Sequence, residues 1–183
     1  AQARRHEVVT PLAQVLPKAA ARRLGLLVEA RRLDIERAPF EDDAALRDYL
    51  ERTAGFLAQS AAEALGAAPG HLVSVAIWAR AAGLARYCRA VPDLEARGKL
   101  PLPDGRAEAV QGLAQAELAA LSKLGSLRGL RRRLGAYSGA AVLEFWQARP
   151  LLRAITRDPG AVADGRLALS DFGRRARLLA LAF

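Results

Sequence analysis

The residue types that could carry chemistry are few and scattered. Asp42 and Asp43 are adjacent carboxylates, the kind of pair that invites a divalent cation. Adjacent helical residues diverge by about 100°, so the two do not converge on one ion as carboxylates four apart would. At a helix start they cap free N–H groups and suit the helix dipole, and that is the expected role here. His6 and His71 lie far apart with no acid partner in view, and both read as surface or helix-end histidines. Cys88 is the one cysteine. Its apolar surroundings favour a buried inert thiol over a nucleophile. A single cysteine also excludes an internal disulfide framework and a cysteine-based zinc site. A carboxylate-held Mg²⁺ is still allowed. Arg128, Arg131, Arg132 and Arg133 form a basic run, suited to phosphates, to anionic lipid headgroups or simply to water. There is no P-loop, no GxGxxG after a strand, no HExxH and no GxSxG.

The elements that must position these groups read as helices almost throughout. Residues 4–16 and 18–36 are expected helices, interrupted at Pro17, with Leu24, Leu27, Val28 and Leu33 as a partial apolar stripe on the second. The helix 43–65 has the clearest period, through Leu46, Tyr49, Leu50, Thr53, Leu57, Ser60, Ala61, Ala64 and Leu65, and Gly66 stops it. A helix from Leu72 to Arg89 carries the small-residue stripe Val75, Ala76, Ala79, Ala82, Gly83 and Arg86. Small residues let helices approach closely, so this helix is expected to be central, and Pro92 is expected to break it. Residues 97–105 read as a loop. Helices follow over 106–124, 139–156 and 171–182, the last with Ser170 as N-cap. No period of 20–50 residues marks a repeat protein. The fold class is therefore all-α, an orthogonal or bundle-like arrangement forming one domain over 1–183.

Composition agrees. The chain has 183 residues, 52% hydrophobic and only 5% aromatic, and an apolar mass built of Ala and Leu favours helix over sheet. Lys and Arg number 28 against 19 Asp and Glu, a net charge of +9. That suits an anionic partner without naming it. No stretch matches a transmembrane helix or a signal peptide. Ala, Arg, Gly and Leu dominate as in GC-rich genomes, so a bacterial source is expected. The absence of Met leads to the expectation that this is a segment of a longer protein.

The informative stretch is 79–103, ARAAGLARYCRAVPDLEARGKLPLP. A helix ends in Cys-Arg, a short charged segment follows, then Arg97-Gly98-Lys99 and a Leu102-Pro103 turn. This resembles the second signature of the squalene and phytoene synthase family, an Asn-Ile-Leu-Arg-Asp helix end followed by Arg-Gly-Arg-x-Tyr-Leu-Pro. The spacing from Arg89 to Gly98 agrees with that pattern without a gap. Ala30-Arg31-Arg32-Leu33-Asp34, then Leu46 and Tyr49, then Thr53-Ala54-Gly55 are similar to the family's upstream series. Pro150 to Leu179 resembles its C-terminal tail. The resemblance implies an isoprenoid-synthase-like helical bundle, with N-terminal helices and the first aspartate motif expected to lie before Ala1.

In the family, the aspartates of the second motif bind Mg²⁺, which grips a prenyl diphosphate and neutralises the leaving group. At the matching positions stand Ala90 and Leu94. Asp93 and Glu95 flank them but are expected to point elsewhere. Arg86 and Gly83 replace the usual Asn and Gln, and Pro101 replaces the tyrosine of the loop. The resemblance implies a substrate or phosphate site at Arg86, Arg89, Tyr49, Arg97 and Lys99. Arg86 and Arg89 could meet a diphosphate directly, since Arg is a bidentate phosphate partner. The competing reading has Arg86 capping its helix or pairing with Asp93 or Glu95. Cys88-Arg89-Ala90-Val91-Pro92 is similar to a non-catalytic branch of the family that includes a mitochondrial factor for respiratory complex I assembly.

Three functions follow as expectations. The first is a degenerate family member: a non-catalytic, membrane-associated isoprenoid-binding or assembly factor. It would need no cofactor and sit in the cytoplasm at the inner face of a bacterial membrane. Its partners would be an isoprenoid lipid or prenyl diphosphate and a protein of respiratory-complex assembly. The second is an active prenyltransferase condensing two farnesyl or geranylgeranyl diphosphates with Mg²⁺. The third, a nucleic-acid-binding domain, has little behind it: cations cluster only at Arg128–Arg133, and aromatics for stacking are scarce.

Overall fold

The computed structural model describes residues 6–35 and 39–182, and among them helices, turns and loops are present and strands are not. The all-α expectation holds. The expected helices over 4–16 and 18–36 appear as α1 (Val9–Val15) and α2 (Lys18–Ala30), followed by a 3₁₀ turn, Arg31–Asp34. Residues 4, 5 and 36 of those two expectations fall outside the described residues. α1 buries nothing, and Val28 of the expected stripe on α2 is exposed. α2 instead packs through the small Ala20, whose carbonyl accepts from the Ser60 hydroxyl at 3.3 Å, and through an Arg23–Glu63 ion pair.

The 43–65 helix is present but is not a uniform α-helix. α3 (Asp43–Leu50) runs into a π-helical turn, Glu51–Gly55, and continues as α4 (Phe56–Ala64). Asp42 caps it as expected, its carboxylate accepting the Ala45 N–H at 2.7 Å. A π-turn inserts one extra residue and rotates everything after it. Before the turn, Leu46, Tyr49 and Leu50 are buried as the period predicts. After it, Ser60 is still buried as expected, but Leu57 is 53% and Leu65 44% exposed while Ala58 and Ala62 face inward. The expected apolar face is correct for half the helix and displaced for the other half.

α5 (Pro69–Ala96) is the axis of the fold. Its 28 residues span about 42 Å at 1.5 Å each. Val75, Trp78, Ala79, Leu84, Cys88 and Val91 are all buried along it. Gly83 sets the distance to the neighbouring rod, because a Cβ there would lie 2.9 Å from the Cβ of Ala54. Pro92 does not break this helix, contrary to expectation. A mid-helix proline forfeits one N–H bond to the carbonyl four residues back, and burial of Val91 holds the following turn in place. The helix ends at Gly98, which has a φ of +74°. There the Gly98 N–H donates to Glu95 O at 2.8 Å and the Lys99 N–H to Leu94 O at 3.1 Å, a Schellman closure.

The rest of the chain wraps α5. α6 (Ala107–Leu124) buries Val110, Leu113, Ala114 and Leu121. The basic run proves to be a helix, α7 (Leu127–Leu134), with Leu127 and Leu130 inward. The expected helix 139–156 is two elements, a 3₁₀ segment Ser138–Gln147 and α8 (Ala148–Arg157). Pro150 explains the division: in the first turn of a new helix its missing N–H leaves no bond broken. α9 (Gly160–Ala163) and α10 (Asp171–Ala182) complete the chain, the latter capped by Ser170 as expected, with Gly173 N–H to Ser170 Oγ at 3.2 Å. No helix among the described residues is long and apolar enough to cross a membrane.

One ionic cluster crosses this apolar core. Glu117 of α6 is 3% exposed. Arg80 of α5 donates to it at 2.9 Å and to Glu51 of the π-turn at 2.9 Å, with Arg47 of α3 at 3.5 Å from Glu117. Two outcomes follow. Gly83→Val should lower stability by about 1–3 kcal/mol through overpacking against Ala54, read as a drop in thermal midpoint. Arg80→Met should cost about 3 kcal/mol by leaving the buried Glu117 with only its longer contact to Arg47, and the double variant with Glu117→Leu should recover most of that loss.

Candidate functional site

Three cavities along one side of α5 hold four of the five candidate residues. The first, about 290 Å³, lies between the Arg31–Asp34 turn, the start of α3 and the end of α5, and Tyr49, Lys99 and Leu94 line it. The second, about 220 Å³, shares Tyr49 and Tyr87 with the first and adds Arg31, Gly83 and Arg86. The third, about 260 Å³, shares Arg86 with the second and adds Arg89, Glu144 and Trp146. Arg97 lines none of the three and is exposed at the C-cap of α5.

Asp34 is the centre of the first cavity. Arg31 Nη1 donates to Asp34 Oδ2 at 3.0 Å, and the Tyr49 hydroxyl donates to Asp34 Oδ1 at 2.5 Å. Arg31 also donates to the Tyr49 hydroxyl at 3.0 Å, closing a triangle. The 3₁₀ turn supplies this geometry, since it puts Arg31 and Asp34 on one side at i, i+3. Tyr49 reaches them from the buried face of α3. Lys99 Nζ donates to the backbone carbonyl of Asp34, and the Schellman closure of α5 holds the lysine there. Phe40, Tyr49 and Tyr87 meet around the cavity in tilted and edge-on contacts with ring centroids 5.2–6.3 Å apart. The Tyr87 hydroxyl donates to Pro101 O at 2.9 Å.

The electrostatics favour holding a ligand over moving a proton. Burial, and then the Asp34 carboxylate it bonds, push the Tyr49 phenol well above its ordinary value. Burial and the Asp34 charge push Tyr87 up to about 12. Burial alone would lower the Arg31 pKa, but Asp34 and Tyr49 outweigh it and the net direction is up. Both phenols therefore stay neutral and Arg31 stays charged. Cys88 is buried, which raises its thiol to about 12.

The third cavity is simpler. Ala82 and Ala85 form its floor, Trp146 and Leu151 its wall, and Arg86 and Arg89 its exposed cationic rim. Arg86 does not pair with Asp93 or Glu95. It makes an ion pair with Glu144 of the 3₁₀ segment at 3.0 Å, which the sequence could not signal across 58 residues. Asp34, Tyr87, Glu144 and Trp146 also line these cavities and are not among the five residues the sequence points to. Asp34 had a local signal in its spacing from Arg31, and Tyr87 in its place beside Arg86; the other two had none.

A divalent cation finds no ready-made set of ligands among the described residues. Among them no three His, Cys, Asp or Glu side chains gather into a metal-binding group. Both Asp34 oxygens already accept hydrogen bonds, and Leu94 presents hydrocarbon to the first cavity. The cavities mix charge: Asp34, Glu41 and Asp48 line the first beside Arg52 and Lys99, whereas the third sets Arg86 and Arg89 against the single carboxylate of Glu144. The cationic rim and apolar wall of the third can hold a phosphate-bearing apolar molecule by charge-assisted hydrogen bonds and burial.

A family model described as squalene/phytoene synthase matches residues 1–172. No curated protein and no solved structure matches the chain.

The burial of Cys88 has a direct readout. At pH 8 the folded protein should leave a thiol reagent such as a disulfide dye unreacted over minutes, and one equivalent should react at once in guanidinium. Fast reaction in the native state would mean the thiol is exposed.

Proposed function

Since the chain belongs to the squalene/phytoene synthase family, we propose that it binds an isoprenoid lipid or prenyl diphosphate without ionising it. Departure of a diphosphate in this family's chemistry needs a hard cation between carboxylates and phosphate oxygens. The observation that carries the reading is the hydrocarbon at that place. Leu94 stands where a carboxylate is required and lines a cavity beside Lys99. Arg86 and Arg89 supply bidentate donors at the rim of the next cavity but one. They can hold a diphosphate, yet they lack the concentrated charge that pulls it away.

In this proposal the protein works at the inner face of a bacterial membrane as a binding or assembly factor, with a respiratory-complex protein as partner. The exposed Arg128, Arg132 and Arg133 of α7 and the exposed Phe172 of α10 support a peripheral site on anionic lipid. The likeness of Cys88–Pro92 to the non-catalytic branch supports the assembly role.

The test is pyrophosphate release from farnesyl and geranylgeranyl diphosphate with Mg²⁺, run beside equilibrium binding of both. The expected result is saturable binding and no release, with Arg89→Gln weakening binding about tenfold. Release that stops with EDTA overturns the proposal and makes the protein an active prenyltransferase.

A further inference from the structure

The charged residues that line the third cavity are Arg86, Arg89 and Glu144. The two arginines stand three apart on α5 and so share one face of the helix. Glu144 belongs to a different element, the 3₁₀ segment Ser138–Gln147. Arg86 Nη1 donates to Glu144 Oε2 at 3.0 Å. Arg89 makes no ion pair among the described residues. The cavity therefore holds two guanidiniums against one carboxylate, and one guanidinium is already taken.

Both partners of the Arg86–Glu144 pair are about half exposed, at 48% and 55%. An exposed pair is held weakly, so a phosphate group can take Arg86 from Glu144. It does not remove the carboxylate. Val142 and Phe145, on either side of Glu144, are fully buried and fix the segment that carries it. The negative charge stays at the cavity after a ligand has entered.

We propose that Glu144 is the specificity-determining residue of this cavity, and that it fits the site to a prenyl phosphomonoester in preference to a prenyl diphosphate. A single phosphate group carries about −1.5 to −2 charges at neutral pH, which two guanidiniums can meet through paired hydrogen bonds. The second phosphate of a diphosphate adds negative charge for which the cavity has no further cation. That charge lies well within a Debye length of the Glu144 carboxylate and is repelled by it. Trp146 and Leu151 take the start of the hydrocarbon. The inference rests on the isoprenoid reading of this cavity and narrows the headgroup it takes.

Trp146 lines the cavity, so intrinsic fluorescence reports on it. The full chain is titrated with farnesyl phosphate and with farnesyl diphosphate, both without divalent cation. The wild-type protein should bind the monophosphate at least as tightly as the diphosphate. Glu144→Gln keeps the shape of the side chain and an acceptor for Arg86 but removes the charge. It should tighten the diphosphate about fivefold and the monophosphate only about twofold, so that the order inverts. Glu144→Asp keeps the charge and should keep the wild-type order. A merely structural role for Glu144 would move both ligands alike and leave their ratio unchanged. Tighter binding of the diphosphate by the wild-type protein, or an unchanged ratio in Glu144→Gln, overturns the inference and leaves the isoprenoid reading standing. Binding of neither ligand to either protein overturns both.

Discussion

The approach of α5 to the α3–α4 rod is the constraint on which the rest depends. At Gly83 there is no room for even one carbon, because the Ala54 methyl occupies the space. Two helices this close are tied by backbone shape and not only by side chains. The π-turn forms this crossing, supplying Ala54 and burying Thr53 and Gly55 there. One extra residue in the turn lets the rod present Tyr49 to the site before the crossing and Ala58 and Ala62 to the core after it. The same geometry that packs the fold thus aims the one tyrosine that binds Asp34.

Polar groups divide into two kinds. The Arg80, Glu117 and Glu51 cluster is paired and inward, and it ties α5, α6 and the π-turn together. A buried pair of this kind adds little net stability over hydrocarbon but penalises any arrangement that separates it. The groups along the cavities are different. Arg89 carries no ion pair among the described residues, Arg86 is held by one exposed carboxylate, and Arg149 is bonded only to carbonyls. A protein that leaves several cations beside apolar hollows has surfaces matched to amphiphilic anions. Ala90 and Leu94 add no negative charge to the helix that carries Arg86 and Arg89.

Much of the candidate site was legible in the chain. The run from Arg89 through Lys99 could be read because its parts are local: a helix end, a glycine closure and a lysine one step beyond. Asp42 and Ser170 were legible as caps for the same reason. Arg97 stands apart from the cavities because neighbours in sequence at a helix end need not share a surface. It sits at the C-cap while Lys99, two residues on, turns back over Asp34.

The sequence by itself determined the helical class, the central place of the small-residue helix, the caps and the presence of Ala90 and Leu94 near the end of that helix. Each depends on propensity, on spacing within a few residues, or on which atoms a side chain contains. Only the tertiary structure decided that α5 passes through Pro92, that the face of α4 is rotated, that Arg86 pairs with Glu144, and that Glu117 lies in the core. Those outcomes depend on what another element offers in space. The energy of a proline's lost bond, of one extra residue in a turn, or of a buried charge is comparable to a single packing contact. The packed neighbour therefore settles each of them, and that neighbour is distant in the chain.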